Sequence, residues 1–276
     1  MPREFADPYV YPGADVLKNK PGFHDDGALR TFEYEQTASR AQELNAKPIA
    51  GKFDLDHIKA IHKHLFQDVY EWAGEVRTAN IRKDAVPFAG VAFIESYSAQ
   101  LSVGLAKENH LKGLDKPKFV ERLAHHFTEF NAVHPFREGN GRATREFVGQ
   151  LARNAGFELD QTRIDNNKDQ WNQASARGRA GDLEPIKAIF DQAIRPAKAV
   201  AFDHDQPEEA IKKHPELRSA FLTMKAAEVY AVDAITKPAD RAAFIERTRE
   251  SIRATLHEGK DVPAPALKAR DRGLDR

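Results

Sequence analysis

The sequence predicts an all-α bundle with one short β-hairpin set into it. Three observations carry that expectation. Apolar residues recur at helical spacing in window after window from residue 27 to residue 195. Only residues 75–93 lose that period, and there Pro87 and Gly90 punctuate Val86, Phe88, Val91 and Phe93. The 276 residues hold no cysteine and no apolar run near the roughly 18 residues of a membrane span, so neither disulfides nor a bilayer organise the fold.

Residues 1–26 are rich in Pro, Gly, Tyr and Asp and read as an irregular N-terminal arm. The first helix is expected over 27–46, with Leu29, Phe32, Thr37, Arg40 and Leu44 in register. The second, over 54–70, has Asp54 as N-cap and Ile58, Ile61, Leu65 and Val69 on one face, with Trp72 and Gly74 ending it. The hairpin follows, with a turn at Lys83-Asp84, and strand content is expected nowhere else. Further helices are expected over 94–112, 117–132 (Phe119, Leu123, Phe127, Phe130, with Pro117 near the start), 142–155, 166–178 and 183–195. In the fifth, Ala143, Phe147, Leu151 and Ala155 share a face and Gly156 stands at the C-cap. Residues 27–196 thus read as one domain. Asp205, Pro207 and Pro215 mark a boundary, and helices near 215–232 and 238–257 make a small helical extension over 197–262. Residues 263–276 alternate in charge without a core pattern and read as a disordered tail.

The junction between the fourth and fifth helices is the densest stretch of chemistry. Residues 134–142 read His-Pro-Phe-Arg-Glu-Gly-Asn-Gly-Arg, and Arg145 follows. Gly139 and Gly141 fall where unpaired backbone N–H groups of a starting helix point outward, and both are expected to take conformations that aim those groups at an anion. Arg142 and Arg145 lie three apart in the first turn, where cations oppose the helix dipole by roughly 0.3–1 kcal/mol each. That cost makes sense if a polyphosphate lies between dipole and guanidiniums. Glu138 is the one acid among phosphate binders, the usual way to hold a Mg²⁺ that keeps most of its waters. His134 can serve as a general base near neutral pH. Taken singly, each feature is common in ordinary turns and solvated faces; their concentration within twelve residues sets the stretch apart.

The stretch resembles the Fic family signature, H-P-F-x-[D/E]-G-N-G-R-x-x-R, at every fixed position. Residues 57–83, containing Tyr70-Glu-Trp-Ala-Gly-Glu-Val-Arg77 and Thr78-Ala-Asn-Ile-Arg-Lys83, also look like that family. The resemblance covers roughly residues 5–195. It implies a Fic-type helical bundle that transfers AMP from ATP to a Ser, Thr or Tyr hydroxyl of a target protein. It further implies that His134 is the base, that Glu138 holds Mg²⁺, and that Gly139, Asn140 and Gly141 form the anion hole. Arg142 then binds the β-phosphate and Arg145 the γ-phosphate. The flap, Thr78, Ala79, Asn80, Ile81, Arg82 and Lys83, is implied to pair with the target as an added strand.

Two other readings stay open. Fic relatives also transfer UMP, phosphocholine or phosphate; the phosphorylating ones carry lysine at the second loop glycine, where Gly141 stands here. A non-catalytic Fic-fold interaction module would be expected to lose His134 or Glu138. The family's inhibitory motif, Ser/Thr-x-x-x-Glu-Gly/Asn, finds no match: Glu108-Asn109, Glu138-Gly139 and Glu258-Gly259 are preceded by Gly104, His134 and Ala254. Restraint is therefore expected from a small antitoxin-like protein in trans, as for a toxin or a type IV secreted effector, with an unregulated effector as the alternative. The opening residues are similar to those of conjugation-linked Fic proteins and Bartonella effectors. With 42 basic and 42 acidic residues the net charge is zero, which argues against direct nucleic-acid binding or membrane attraction. The expected location is the cytoplasm, with export to a host or recipient cell as the alternative.

Overall fold

The structure, a computed structural model, describes residues 7–83 and 86–265. The notional turn residue Asp84, the first six residues of the arm and the tail beyond residue 265 lie outside the described residues. Helix α1 (Asp26–Ala46) starts at Asp25, whose carboxylate accepts the Ala28 N–H at 2.7 Å. Helix α2 (Leu55–Phe66) is capped by Asp54 in the same way, through the His57 N–H at 2.9 Å. It ends at Phe66, four residues short of the expectation; Val69 and Tyr70 are buried in the turns that follow. The hairpin is β1 (Arg82–Lys83) against β2 (Val86–Pro87), antiparallel, with Arg82 opposite Pro87.

Helix α3 (Ile94–Lys107) is shorter than expected and gives way to a 3-10 turn over Asn109–Leu111. Asp115 caps α4 (Lys116–Val133), accepting the Lys118 N–H at 3.0 Å. Helix α5 (Asn140–Asn154) follows the loop, then β3 (Phe157–Leu159). The helix expected over 166–178 is α7 (Lys168–Arg179); a short helix not expected from the sequence, α6 (Gln161–Asp165), precedes it, and α8 (Glu184–Ala193) follows. Strand β4 (Ile194–Pro196) pairs with β3, so strand content is not confined to the flap. Three-residue strands are too short to show an alternating pattern, which is why periodicity overlooked them.

The chain divides into two compact units: Met1–Ala155 with Leu159–Ala193, and Gly156–Glu158 with Ile194–Arg276. In the first, α2 packs on α5, and α4 packs on α3, α5, α7 and α8. Ile61, Leu123 and Phe147 are fully buried, and Phe130 meets Phe147 at a ring separation of 4.8 Å. Truncating such a side chain to alanine costs about 2–5 kcal/mol. This core fixes the two ends that matter, the C-terminus of α4 and the N-terminus of α5. The second unit contains α9 (Ala197–His204), α10 (Pro207–Lys213), α11 (Arg218–Ala234) and α12 (Pro238–His257). Its own core includes Phe202, Leu217, Met224, Ile252 and Leu256. Helices α9 and α10 are each too short to declare an apolar stripe, so residue order alone does not mark them.

Candidate active site

Helix α4 stops because His134 takes a left-handed conformation, φ 49° and ψ 62°, directly before Pro135. The loop then turns back through Gly139, φ 78°, into α5. Asn140 cinches it: its side-chain oxygen accepts the Phe136 N–H at 2.8 Å and its amide donates to the Phe136 carbonyl at 2.7 Å. The Asn140 side chain is thereby buried and spent on the loop, and only its backbone N–H remains for an anion. Gly139 is required on two counts: its positive φ, and Phe66, whose ring would lie 2.2 Å from an added Cβ. Gly141 differs from the expectation. Its backbone is helical, and an added Cβ would meet nothing within 4 Å. Its missing side chain leaves room over the first turn of α5 instead of relieving the backbone.

The His134 ring stacks on Phe88 at 3.6 Å and 11°. Its Nδ1 lies 3.1 Å from the Asn131 carbonyl, an acceptor, so Nδ1 carries the proton and Nε2 keeps its lone pair. Burial, assisted by the charges of Arg179, Arg77 and Lys83, pushes the ring down to about 3, well below the near-neutral value expected from sequence. Beneath the loop, His62 is wholly buried between Phe66 and Phe136, with ring separations of 4.5 and 3.8 Å. It accepts the Gly74 N–H at Nδ1 (2.8 Å) and donates from Nε2 to the Glu138 carbonyl (3.0 Å). Burial pushes it, too, down to about 3.

Both arginines already have carboxylate partners in the protein, so a bound polyphosphate is not their sole source of counter-charge. Arg142 donates to Glu33 of α1 at 2.5 Å and to Thr37 at 3.2 Å, and its guanidinium lies 4.6 Å over the Phe66 ring. Glu33 also accepts the Tyr70 hydroxyl, whose ionisation burial and this carboxylate push up. Arg145 donates to Asp165, at the end of α6, at 2.7 Å. Glu138 is half-exposed; one carboxylate oxygen accepts the Gly139 N–H at 2.9 Å, and the carboxylate lies 3.8 Å from Arg142.

These groups face a cleft of about 940 Å³. Its walls bring together His134, Glu138, Gly139, Asn140, Gly141, Arg142 and Arg145 with Ile81, Arg82 and Lys83 of the flap. Thr78, Ala79 and Asn80 do not line it. They serve the flap itself: the Tyr9 hydroxyl accepts the Thr78 N–H at 2.9 Å, Arg77 holds the Ala79 carbonyl, and Asn80 accepts the Val91 N–H at 3.0 Å. Sequence reasoning missed Thr37, Asp165 and Arg179 on the walls, and Glu33 behind Arg142. Each is distant in sequence from the loop, and nothing in its local pattern distinguishes it. Among the described residues no helix is long and apolar enough to cross a membrane.

A helix N-terminus with open space above it, flanked by two arginines and a neutral histidine, defines a phosphate-handling transferase site. The Fic/DOC family profile matches residues 52–152. The Escherichia coli (strain K12) protein named Probable protein adenylyltransferase Fic is 41% identical over 194 residues, 70% of this chain and 95% of that one. Protein adenylyltransferase VbhT of Bartonella schoenbuchensis is 45% identical over 184 residues, 67% of this chain but 38% of VbhT. Among solved structures, the VirB-translocated Bartonella effector protein BepC with bound AMPPNP, from Bartonella tribocorum, aligns with a TM-score of 0.65 at 31% identity, covering 68% of this chain and 96% of BepC. A VirB-translocated Bep effector Fic domain with bound ADP, from Bartonella quintana, aligns equally well, with a TM-score of 0.65 at 31% identity, covering 70% of this chain and 96% of that domain. The chain belongs to the Fic/DOC family and is one of its protein adenylyltransferases.

Proposed function

We propose that the chain transfers AMP from ATP to a Ser, Thr or Tyr hydroxyl of a protein target and releases pyrophosphate. The observation that carries this reading is the convergence of the His134 Nε2 lone pair, the N-terminus of α5 and both arginines on one cleft. The target oxygen attacks the α-phosphorus, its proton passes to His134 Nε2, and the bond to the β-phosphate breaks with pyrophosphate taking the electron pair. His134 is a weak base in the free protein; the negative charge of a bound polyphosphate raises it toward neutrality, so the base is activated by its co-substrate. The N–H groups of Gly139, Asn140 and Gly141 cradle the α- and β-phosphates. Arg142 binds the β-phosphate while Glu33 and Thr37 hold it in place, and Arg145 exchanges Asp165 for the γ-phosphate.

The single half-exposed carboxylate of Glu138 fits a Mg²⁺ shared with substrate phosphates. When bound, that ion neutralises charge developing on the leaving group. For the flap, the Phe88 N–H donates to the Ile81 carbonyl at 3.3 Å, so Ile81 and Phe88 form a hydrogen-bonded pair. The alternation of an antiparallel ladder then turns the N–H and C=O of Arg82 away from β2. Pro87 has no N–H to offer on the outer edge of β2. A target strand therefore adds along Arg82, on the edge of β1.

The similarity to VbhT and to translocated Bartonella effectors, together with the missing inhibitory motif, supports a toxin or effector role restrained by a small protein in trans whose glutamate pairs with Arg145. Expression alone should then arrest growth, and a small protein encoded beside it should relieve the arrest. The chemistry is tested by incubating protein and lysate with α-labelled and γ-labelled ATP in parallel. Label is expected in protein from the α position only; label from the γ position would mean phosphorylation and overturn the reading.

A further inference from the structure

Arg77 is 1% exposed, among the largest side chains buried in the molecule. Its guanidinium donates to three segments at once. Nε reaches the His134 carbonyl at 2.8 Å, Nη1 the Ala79 carbonyl at 2.8 Å, and Nη2 the Ala89 carbonyl at 2.5 Å. Nη2 also lies 3.5 Å from the Val133 carbonyl. Its backbone N–H donates to the Pro135 carbonyl at 2.8 Å, and the Ala89 N–H donates to the Ala132 carbonyl at 3.0 Å. Among the described residues no carboxylate pairs with this group, and burial holds it below its ordinary range.

A buried cation without a counter-charge is a poor stabiliser; an apolar side chain of the same volume usually serves a core better. What arginine offers here is a rigid planar fork of donors. The fork ties the end of α4 to both arms of the flap, Ala79 on the way in and Ala89 on the way out. Ala79 lies three residues before Arg82, where the outward backbone groups of β1 stand.

We propose that Arg77 is a positioning residue that couples the flap to the base, fixing the register between a target strand held on β1 and Nε2 of His134. This rests on the transfer reading above, in which the flap holds the target and His134 takes its proton. The coupling matters because near-attack geometry is sensitive: a misplacement of about 1 Å can cost about 10²-fold in rate. Arg77 itself does not line the cleft.

The test compares Arg77→Lys, which keeps the charge and loses the fork, with Arg77→Met, which loses both. The readouts are ATP affinity, label transferred from α-labelled ATP into a bacterial lysate, and the His134 imidazole titration followed by NMR. Both variants should bind ATP like the wild type while transfer at saturating ATP falls about 10²-fold. Arg77→Met should also move the His134 titration upward, because a cation beside its carbonyl is gone, whereas Arg77→Lys keeps the charge and should lose transfer with that titration in place; wild-type transfer by Arg77→Lys would make the fork dispensable and refute the coupling. His134→Ala runs alongside. If it still labels at the wild-type rate, the transfer reading itself fails. If it is silent while both Arg77 variants label at the wild-type rate, only the coupling is refuted. One measurement needs no variant: in the wild type, the Arg77 and Ala89 amide hydrogens should exchange through one common opening, and two separate openings would refute the coupling outright.

Discussion

His134 and His62 are the same residue in nearly the same environment, put to opposite uses. Each ring lies flat on a phenylalanine, Phe88 at 3.6 Å and Phe136 at 3.8 Å, and burial pushes each down to about 3. The difference is one nitrogen. His62 has both engaged, one by the Gly74 N–H and one by the Glu138 carbonyl, so it braces the loop from beneath. His134 has one engaged, by the Asn131 carbonyl, and keeps a lone pair facing the cleft. A depressed ionisation does not separate a base from a strut here; the count of occupied nitrogens does.

The sharpest break of that comparison is His134→Ala. Transfer should fall by about 10²–10⁴-fold while ATP affinity changes little, since the ring acts on the acceptor's proton. Single-turnover labelling with ATP binding measured in parallel checks both halves, and a variant that keeps near wild-type labelling ends the assignment. His62→Ala should fail differently. It strands the Gly74 N–H and the Glu138 carbonyl in a buried site and leaves a cavity among the rings of Phe66, Trp72 and Phe136. The expected cost is about 2–5 kcal/mol, read as a lowered urea midpoint. An undiminished midpoint would remove His62 from the scaffold.

The same division between wall and working face separates the two glycines. Gly139→Ala meets both a left-handed backbone and the Phe66 ring, and should destabilise the fold by about 2–4 kcal/mol. Gly141→Ala should leave stability close to the wild type and weaken nucleotide binding, because its methyl enters the space over α5. Melting curves that fall equally for the two would erase the distinction.

The smallest effect is on pH. Both rings ionise in the unfolded chain near 6.5 and in the folded chain near 3. Between those values the unfolded chain binds protons that the fold refuses. Stability is therefore full above pH 6.5 and is lost as pH falls through the window, by at most about 1.4 kcal/mol per pH unit for each ring. Denaturation at pH 7 and pH 5 measures it for the wild type and for His62→Gln; an identical difference in both would mean His62 carries none of it.

Much of this was legible in residue order. The loop from His134 to Arg145 announced itself because unusual residue types crowd into twelve positions. The cap at Asp54 and the apolar faces of α4 and α5 follow directly from local pattern. What stayed hidden was whatever needs two distant segments. Glu33 carries no local mark as the partner of Arg142, and the left-handed turn at His134 depends on how α4 ends. Arg77 stood in a stretch already singled out, yet a lone arginine in sequence looks solvated, and only the fold reveals four carbonyls around it.

The pairing of Glu33 with Arg142 spans 109 positions. Closing a loop of that length is slow compared with forming the helices at either end, although its entropic cost grows only logarithmically with length. During synthesis α1 emerges long before α5, so the clamp waits for its arginine, and the nascent chain carries no assembled phosphate site until most of the first unit has left the ribosome. An isolated peptide of residues 134–145 would contain every letter of the motif but neither Glu33 nor Asp165. Catalytic competence thus arrives late in the life of the chain, as a property of tertiary closure.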